Sequence, residues 1–135
     1  MTSVLIVDDD EAVRTATKIL LDANGFEAVA VGDGKAGIEA VRNRHFDLAI
    51  VDLFMSGMNG LETTKNIRQH NPCMPIIAAS GFMLGGACPE MPEFEAMARE
   101  AGATTTMYKP FRPKVLLQTI RDTLSSEETS RSGRL

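Results

Sequence analysis

The chain has 135 residues and a formal net charge of −4 at pH 7, which suits one domain with a single core and argues against nucleic acid as its main partner. Its N-terminus lacks the basic and apolar regions of a signal peptide, and no segment approaches the roughly 20 apolar residues that span a bilayer. The two cysteines, Cys73 and Cys88, have no metal-ligand or redox-pair spacing, so we expect reduced thiols in a cytoplasmic protein that does not contact membranes.

Five short apolar runs predict the strands of one sheet. They cover residues 3–7, 27–31, 47–51, 75–80 and 104–107. Three of them are nearly continuous in Val, Ile, Leu and Ala, which is typical of strands that are covered on both faces. We therefore expect the sheet to lie inside the protein, between two layers of helices.

Segments of helical period separate the strands, and residues suited to helix ends mark their limits. Asp33 and Asn59 precede apolar segments and suit the capping positions of the second and third helices. Pro113 suits the first turn of a fifth helix. Gly25 and Gly102 follow the first and fourth helical segments, where glycine commonly ends a helix. The sequence thus alternates five predicted strands with five predicted helices.

This alternation predicts an α/β fold: a doubly wound parallel sheet with right-handed crossovers and helices on both faces. In such sheets ligands bind beyond the carboxyl ends of the strands, so chemistry is expected after the first, third, fourth and fifth strands. Residues 126–135 are rich in Ser, Glu and Arg and contain one apolar residue. We therefore expect the domain to span residues 1–125 and residues 126–135 to form a flexible C-terminal tail.

Three acids, Asp8, Asp9 and Asp10, follow the first strand directly. Carboxylates about 4 Å apart repel by roughly 4 kcal/mol per pair at an effective dielectric constant of about 20, so such a cluster usually holds a cation or keeps one carboxyl protonated. Magnesium, which prefers oxygen ligands, is the simplest cation. The alternative is that Asp10 caps the next helix while its neighbours are solvated.

The other strands deliver further polar side chains to the same edge of the sheet. Asp52 follows the third strand, Ser80 ends the fourth, and Lys109 follows the fifth. Taken singly, each of these residues has an ordinary explanation as a turn former or a solvated charge. Their equivalent places in the topology predict instead that acids, a hydroxyl and an ammonium converge on one crevice.

The residues at the strand ends resemble those of the receiver domains of two-component response regulators, and the resemblance covers about residues 3–124. The shared motifs are the acidic pair Asp8-Asp9, the segment 52–60 that begins with Asp52, the pair Ser80-Gly81, and Lys109-Pro110-Phe111. The resemblance implies a flavodoxin-like fold, with a five-stranded parallel sheet of order 2-1-3-4-5 and five helices.

The resemblance also implies a function and a set of roles. Asp52 would accept a phosphoryl group from a phosphohistidine on a sensor histidine kinase or a histidine phosphotransfer protein, in a magnesium-dependent reaction. Lys109 and Ser80 would contact the phosphoryl oxygens, and the Lys109–Pro110 peptide bond would be cis. The implied Mg²⁺ ligands are Asp8 (through water), Asp9, Asp52 and the backbone carbonyl of Phe54.

The sequence departs from the family pattern at three places. Ser56 replaces the usual proline, which makes that turn less rigid. Thr106 stands where the family usually has an aromatic switch residue, although Tyr108 lies two residues on and so on the same strand face. Residues 82–92 contain paired glycines and two prolines, and they predict a long irregular loop before the fourth helix.

We therefore expect a stand-alone receiver, a phospho-acceptor switch that is not an enzyme and that signals through protein contact or phosphorelay. The implied contact surface is the face formed by the fourth helix, the fifth strand and the fifth helix. One alternative is a haloacid-dehalogenase-type phosphohydrolase with Asp8 as nucleophile, although only acids in or beyond the last helix follow Lys109, where that family needs an acidic pair. Another is a pseudo-receiver that binds partners without phosphorylation, which Thr106 leaves open.

Overall fold

The structure is a computed structural model that describes residues 1–55, 59–80, 91–109 and 111–132, with residues 91–92 and 127–132 described through their backbone only. Strands and helices alternate along the chain. Their bounds are β1 (Thr2–Val7), α1 (Glu11–Ala23), β2 (Phe26–Val31), α2 (Gly34–Asn43), β3 (Leu48–Asp52), α3 (Gly60–His70), β4 (Ile76–Ser80), α4 (Met91–Ala101), β5 (Thr105–Tyr108) and α5 (Pro113–Ser132).

The five strands lie parallel in one sheet, in the order β2-β1-β3-β4-β5. This order and the alternating helices confirm the predicted fold. From β1 the chain places β2 on one side and β3 on the other, so the direction of winding reverses between β1 and β3. In open α/β sheets the carboxyl ends of the strands at this reversal are where ligands bind.

Two apolar layers cover the sheet because alternate strand residues point to opposite faces. Ile6 of β1 packs in one layer with Leu21 of α1 and Ile120 of α5. Leu5, its neighbour in the chain, packs in the other layer with Ile67 of α3. All five side chains are buried, which explains why the central strands read as continuous apolar runs.

The helix ends follow the predicted signals. Asp33 and Asn59 cap α2 and α3, since their side chains accept hydrogen bonds from backbone N–H groups of the first turns. Gly25 and Gly102 adopt φ values of 87° and 108° after α1 and α4, a conformation that costs glycine little and other residues more. Pro113 opens α5, where its missing N–H group would have had no partner within the helix.

The strand bounds differ from the predicted ranges by one residue at several ends, and three boundary differences bear on the site or on the domain limit. β3 includes Asp52 as its last residue, so this carboxylate is fixed by the strand itself. α4 begins at Met91, so the predicted loop was wrong for residues 91–92, because proline is tolerated in the first turn of a helix; residues 82–90 lie outside the described residues. α5 continues to Ser132, past the predicted domain limit at residue 125. That residues 126–135 form a flexible tail stays a prediction.

Within the described ranges no helix combines the length and the apolar character that crossing a membrane requires. Cys73 is an exposed free thiol. Cys88 lies outside the residues that the structure describes.

Candidate functional site

Three carboxylates meet at the carboxyl edge of the sheet, beside the reversal between β1 and β3. Asp8, Asp9 and Asp52 each offer an oxygen, and these oxygens lie within 4.8 Å of one another. Asp8 and Asp52 are only 4% and 6% exposed, whereas Asp9 is exposed. Asp10, the third acid of the run, is the N-cap of α1 and accepts hydrogen bonds from Ala12 and Val13. The acidic run therefore divides into two site residues and one cap.

The main chain around Asp8 holds its carboxylate at this edge. The N–H group of Asp8 donates to the carbonyl of Val31, at the end of β2, over 3.1 Å. Its Oδ1 accepts a hydrogen bond from the N–H group of Asp10 over 2.9 Å. The same turn that starts α1 thus orients the first carboxylate of the site.

Asp52 is held by its own loop and by Lys109. Oδ1 accepts the N–H group of Phe54 at 3.0 Å, and Oδ2 lies 3.1 Å from Lys109 Nζ. Burial raises the pKa of Asp52 above its ordinary value, against the opposing effects of the Phe54 hydrogen bond and the Lys109 charge. The hydrogen bond and the ammonium therefore offset only part of the free-energy cost of burying the ionised Asp52 carboxylate.

Lys109 is the cation of the site. Its ammonium pairs with both Asp8 and Asp52, and its side chain is 11% exposed. Its N–H group donates to the carbonyl of Ser80 at 2.8 Å, so the end of β4 positions the residue that follows β5. Burial by itself would lower the pKa of Lys109, but its contacts with the two carboxylates outweigh burial and raise the pKa.

The start of α3 lies directly against the end of β3. The N–H group of Gly60 donates to the carbonyl of Leu53 at 3.0 Å. A Cβ atom on Gly60 would overlap the backbone of Asp52 and Leu53, so only glycine permits this approach. Residues 56–58, which include Ser56 and its predicted less rigid turn, lie outside the described residues.

Three aromatic rings connect the loop of Asp52 to β5. The ring centroids of Phe54 and Phe94 are 6.1 Å apart, and those of Phe94 and Tyr108 are 5.2 Å apart, both within the range of favourable aromatic pairs. Phe94 belongs to α4 and is fully buried, whereas Tyr108 is 36% exposed. In the sequence Phe94 marks only the apolar face of the fourth helix, because an aromatic residue at helical spacing is indistinguishable from ordinary core.

The predicted site residues fall into three groups. Those that the structure brings into one cluster are Asp8, Asp9, Asp52 and Lys109. Ser80 is buried at the end of the adjacent strand, and Phe54 contacts the cluster through its amide; the roles of the Ser80 hydroxyl and the Phe54 carbonyl stay predictions. Gly81 and Pro110, with the predicted cis bond, lie outside the described residues.

The donor set of this cluster fits a divalent cation. Carboxylate oxygens are the ligands that Mg²⁺ and Ca²⁺ prefer, and here three of them are close enough to share one ion. Three carboxylates and one ammonium leave two formal negative charges. A divalent cation would neutralise that charge, so the residues Asp8, Asp9 and Asp52 fit such an ion.

The chain matches the family model described as "Response regulator receiver domain" over residues 4–121. It is similar to the transcriptional regulatory protein CseB of Streptomyces avermitilis, with 34% identity over 123 residues, 91% of this chain and 49% of the relative. It is also similar to the DNA-binding response regulator MtrA of Mycolicibacterium smegmatis, with 32% identity over 125 residues, 93% of this chain and 51% of the relative. The chain thus spans about half the length of these curated relatives.

Solved structures of receivers are similar over almost their whole length. The CheY-like receiver domain protein of Methanospirillum hungatei has a TM-score of 0.85 and 28% identity, covering 96% of this chain and 98% of that one. Vibrio cholerae CheY4 has a TM-score of 0.81 and 29% identity, covering 91% and 98%. The chain therefore belongs to the response regulator receiver domain family, whose members are phospho-acceptor switches rather than enzymes in their own right.

Proposed function

We propose that Asp52 is the phospho-acceptor and that Mg²⁺ held by Asp8, Asp9 and Asp52 assists the transfer. The observation that carries the proposal is the place of Asp52, a buried carboxylate at the end of β3 that contacts an ammonium and lies beside two further carboxylates. Receiver domains interact with histidine kinases. The donor is therefore a phosphohistidine on a sensor histidine kinase or on a histidine phosphotransfer protein.

Asp52 acts as the nucleophile. The Phe54 amide, at 3.0 Å from Oδ1, keeps the carboxylate in one orientation. A carboxylate oxygen forms a bond to phosphorus while the phosphorus–nitrogen bond of phosphohistidine breaks, and the imidazole leaves with the bonding pair and takes up a proton. The product is an acyl phosphate on Asp52. Because phosphoryl transfer depends mainly on positioning and charge stabilisation, no second nucleophile is needed.

Lys109 and Ser80 stabilise the transferred group. The ammonium of Lys109 already lies beside Asp52 Oδ2, where the phosphoryl group adds negative charge. The hydroxyl of Ser80, at the end of the neighbouring strand, donates to a phosphoryl oxygen. Asp8, Asp9 and the Phe54 carbonyl would hold the cation together with Asp52, and a bound Mg²⁺ would supply positive charge to neutralise the phosphoryl oxygens.

Mapping the modified residue tests this function against both alternatives. The protein is incubated with acetyl phosphate and Mg²⁺, and the acyl phosphate is located by peptide mass spectrometry after hydroxylamine or borohydride trapping. We expect one phosphoryl group, on Asp52, and none when EDTA replaces Mg²⁺. Modification of Asp8 instead would indicate a dehalogenase-type phosphohydrolase. No modification of any residue would indicate a pseudo-receiver and overturn the proposal.

The output surface that we propose is the face of α4, β5 and α5. A groove of about 300 Å³ lies there, and its lining includes Glu95 and Arg99 of α4 and Thr106 of β5. Polar and charged residues of this kind suit the solvent-accessible rim of a protein interface. The three rings, which pack at tilted angles, run from the acceptor loop towards this face, and Tyr108 pairs in register with Ser80. We infer that this row of three rings takes the place of the aromatic residue that is missing at Thr106.

Replacement of Phe94 by Leu is expected to uncouple Tyr108 from the acceptor. Tyr108 is the only tyrosine and the chain has no tryptophan, so intrinsic fluorescence reports on this residue alone. Beryllofluoride, which mimics the phosphoryl group, should change the Tyr108 emission of the parent protein and leave that of Phe94→Leu nearly unchanged. Both proteins should still accept a phosphoryl group on Asp52.

Phe46→Leu is the matched control, since Phe46 is equally buried but packs in the layer of α2 and α3, away from Tyr108. Each substitution should lower the free energy of unfolding by about 1–3 kcal/mol. An emission response that survives in Phe94→Leu, or that is lost equally in Phe46→Leu, would refute the coupling.

A further inference from the structure

Arg14, at the end of the first turn of α1, reaches back towards the acidic cluster. Its Nη1 donates a hydrogen bond to the backbone carbonyl of Asp8 over 2.9 Å. The donor is a half-buried guanidinium, and the acceptor belongs to a residue whose carboxylate lies in the cluster. The contact therefore connects a helix side chain to the main chain that carries the site.

The guanidinium also packs against the connection that follows β2. A Cβ atom on Gly32 would lie 3.1 Å from Arg14 Nη1 and 3.4 Å from Cζ. Gly32 thus leaves the space that the guanidinium occupies. A larger residue at position 32 would displace the far end of the arginine side chain rather than the backbone.

The backbone carbonyl and the backbone N–H group of Asp8 are both hydrogen-bonded. Arg14 binds its carbonyl oxygen, and the carbonyl of Val31 accepts its N–H group at 3.1 Å. The first turn of α1 is thereby joined to the end of β2 across Asp8. Removal of the guanidinium would take away the hydrogen bond to the Asp8 carbonyl. The Asp8 carboxylate would then be held less firmly in its orientation.

We propose that Arg14 is a positioning residue for the metal site: it fixes the Asp8 main chain and so sets the affinity of the acidic cluster for divalent cations. Groups that orient metal ligands in this way typically change metal affinity by about 10–100-fold when removed. The inference rests on the proposed function in that it takes Asp8, Asp9 and Asp52 as the cation site. It adds a residue that contacts neither the cation nor the phosphoryl group.

The test is titration calorimetry with Mg²⁺ on the full chain, without any phosphodonor. Arg14→Met should weaken Mg²⁺ binding by about 10-fold or more. Gly32→Ala keeps the positive charge but displaces the guanidinium, so it should weaken binding in the same direction and by less. The double variant should bind no more weakly than Arg14→Met, since both changes remove one contact.

Lys18→Met is the matched control. Lys18 lies one turn further along α1, and its Nζ donates to the carbonyl of Ala28 in β2 over 2.7 Å. It is likewise a cation of α1 that donates to a main-chain carbonyl, but it lies away from the cluster of Asp8, Asp9 and Asp52 and pairs with Asp22 of its own helix. We expect a comparable loss in thermal stability for Lys18→Met and Arg14→Met, with unchanged Mg²⁺ affinity for Lys18→Met.

Three results would each contradict a different part of the proposal. Absence of Mg²⁺ binding in the parent protein would contradict the metal site itself. Binding in the parent that is equal or tighter in Arg14→Met would overturn the role of Arg14, because tighter binding would mean that the guanidinium acts only as a repelling charge. An equal loss of Mg²⁺ affinity in Lys18→Met would also overturn it, because Arg14 would then act only through the general stability of the fold.

Discussion

Asp52→Asn is expected to abolish phosphoryl uptake from acetyl phosphate completely, because the amide that replaces the carboxylate is not a nucleophile. Asn is nearly isosteric, so the Phe54 hydrogen bond to Oδ1 survives the change. Uptake is measured by mass spectrometry of the intact protein over time, in Mg²⁺. Residual uptake at the parental rate would remove Asp52 as the acceptor.

The same variant should be more stable than the parent at neutral pH, measured by urea unfolding in EDTA. Burial raises the pKa of Asp52, so its ionised form is disfavoured in the folded state. A group with a raised pKa contributes stability below its unfolded pKa and loses that contribution as the pH rises through its folded pKa. The advantage of Asp52→Asn is therefore present at neutral pH and disappears as the pH falls through the raised pKa of Asp52.

Asp47→Asn is the control, because its effect on the free energy of unfolding should have the opposite sign. Asp47 directly precedes β3, at the opposite end from Asp52. The Asp47 carboxylate accepts the Ser3 N–H group at 2.8 Å, and this hydrogen bond lowers its pKa. Its stabilisation is present above the unfolded pKa and is lost as the pH falls through the folded pKa. Asp47→Asn should cost about 1 kcal/mol at neutral pH, since the side chain is partly solvated, and leave phosphoryl uptake intact. A loss of stability in both variants would contradict the assigned environment of Asp52.

Much of the site could be predicted because its residues end buried strands. Asp8 and Ser80 each end or follow an apolar run that reads as strand on composition alone, and parallel topology then brings such ends to one edge. Lys109 could be placed by the same rule. The strand limits themselves were less certain: Asp52 belongs to β3 rather than following it, since pairing with β4 extends one residue further than the apolar run.

The remaining features depend on three-dimensional contacts that leave no local signal. The run of three acids alone leaves a cation site and a helix cap at Asp10 as alternatives, whereas the structure contains both: Asp10 caps α1, and Asp8 and Asp9 lie in the cluster. Phe94 looks like any core residue of an amphipathic helix, and only the fold sets its ring between two others. Arg14 looks like a solvated helix charge until the end of β2 is placed beside it.

Lys109→Met is expected to slow phosphorylation of Asp52 while tightening Mg²⁺ binding. The ammonium is the only cation that the described part of the site contributes to neutralising the phosphoryl group, and removing one such preorganised group typically costs on the order of 10²–10³ in rate. The same removal takes away a positive charge that competes with Mg²⁺ for Asp8 and Asp52. A change of about tenfold in Mg²⁺ affinity corresponds to ~1.4 kcal/mol, well within the interaction of neighbouring charges at this depth.

Stability gives an independent readout of the same residue. Removing one partner of a buried ion pair typically costs about 3–5 kcal/mol, and since Lys109 keeps 11% of its side chain exposed, the loss in EDTA should fall at the lower end. The contacts with the carboxylates raise the pKa of Lys109, so its stabilising contribution is complete below the ordinary pKa of 10.5 and is lost as the pH rises through the folded pKa. Lys109→Met should lack this alkaline loss of stability.

Mg²⁺ should restore much of the stability that Lys109→Met loses, since an ion that binds only the folded state stabilises it in proportion to the logarithm of its concentration. Lys114→Met, which removes an exposed lysine from the first turn of α5, should change neither the rate of phosphorylation nor the Mg²⁺ affinity. Weaker Mg²⁺ binding in Lys109→Met would show that the lysine organises the carboxylates instead of competing for them. In that case the account of the site as two net negative charges that a divalent cation neutralises would be wrong.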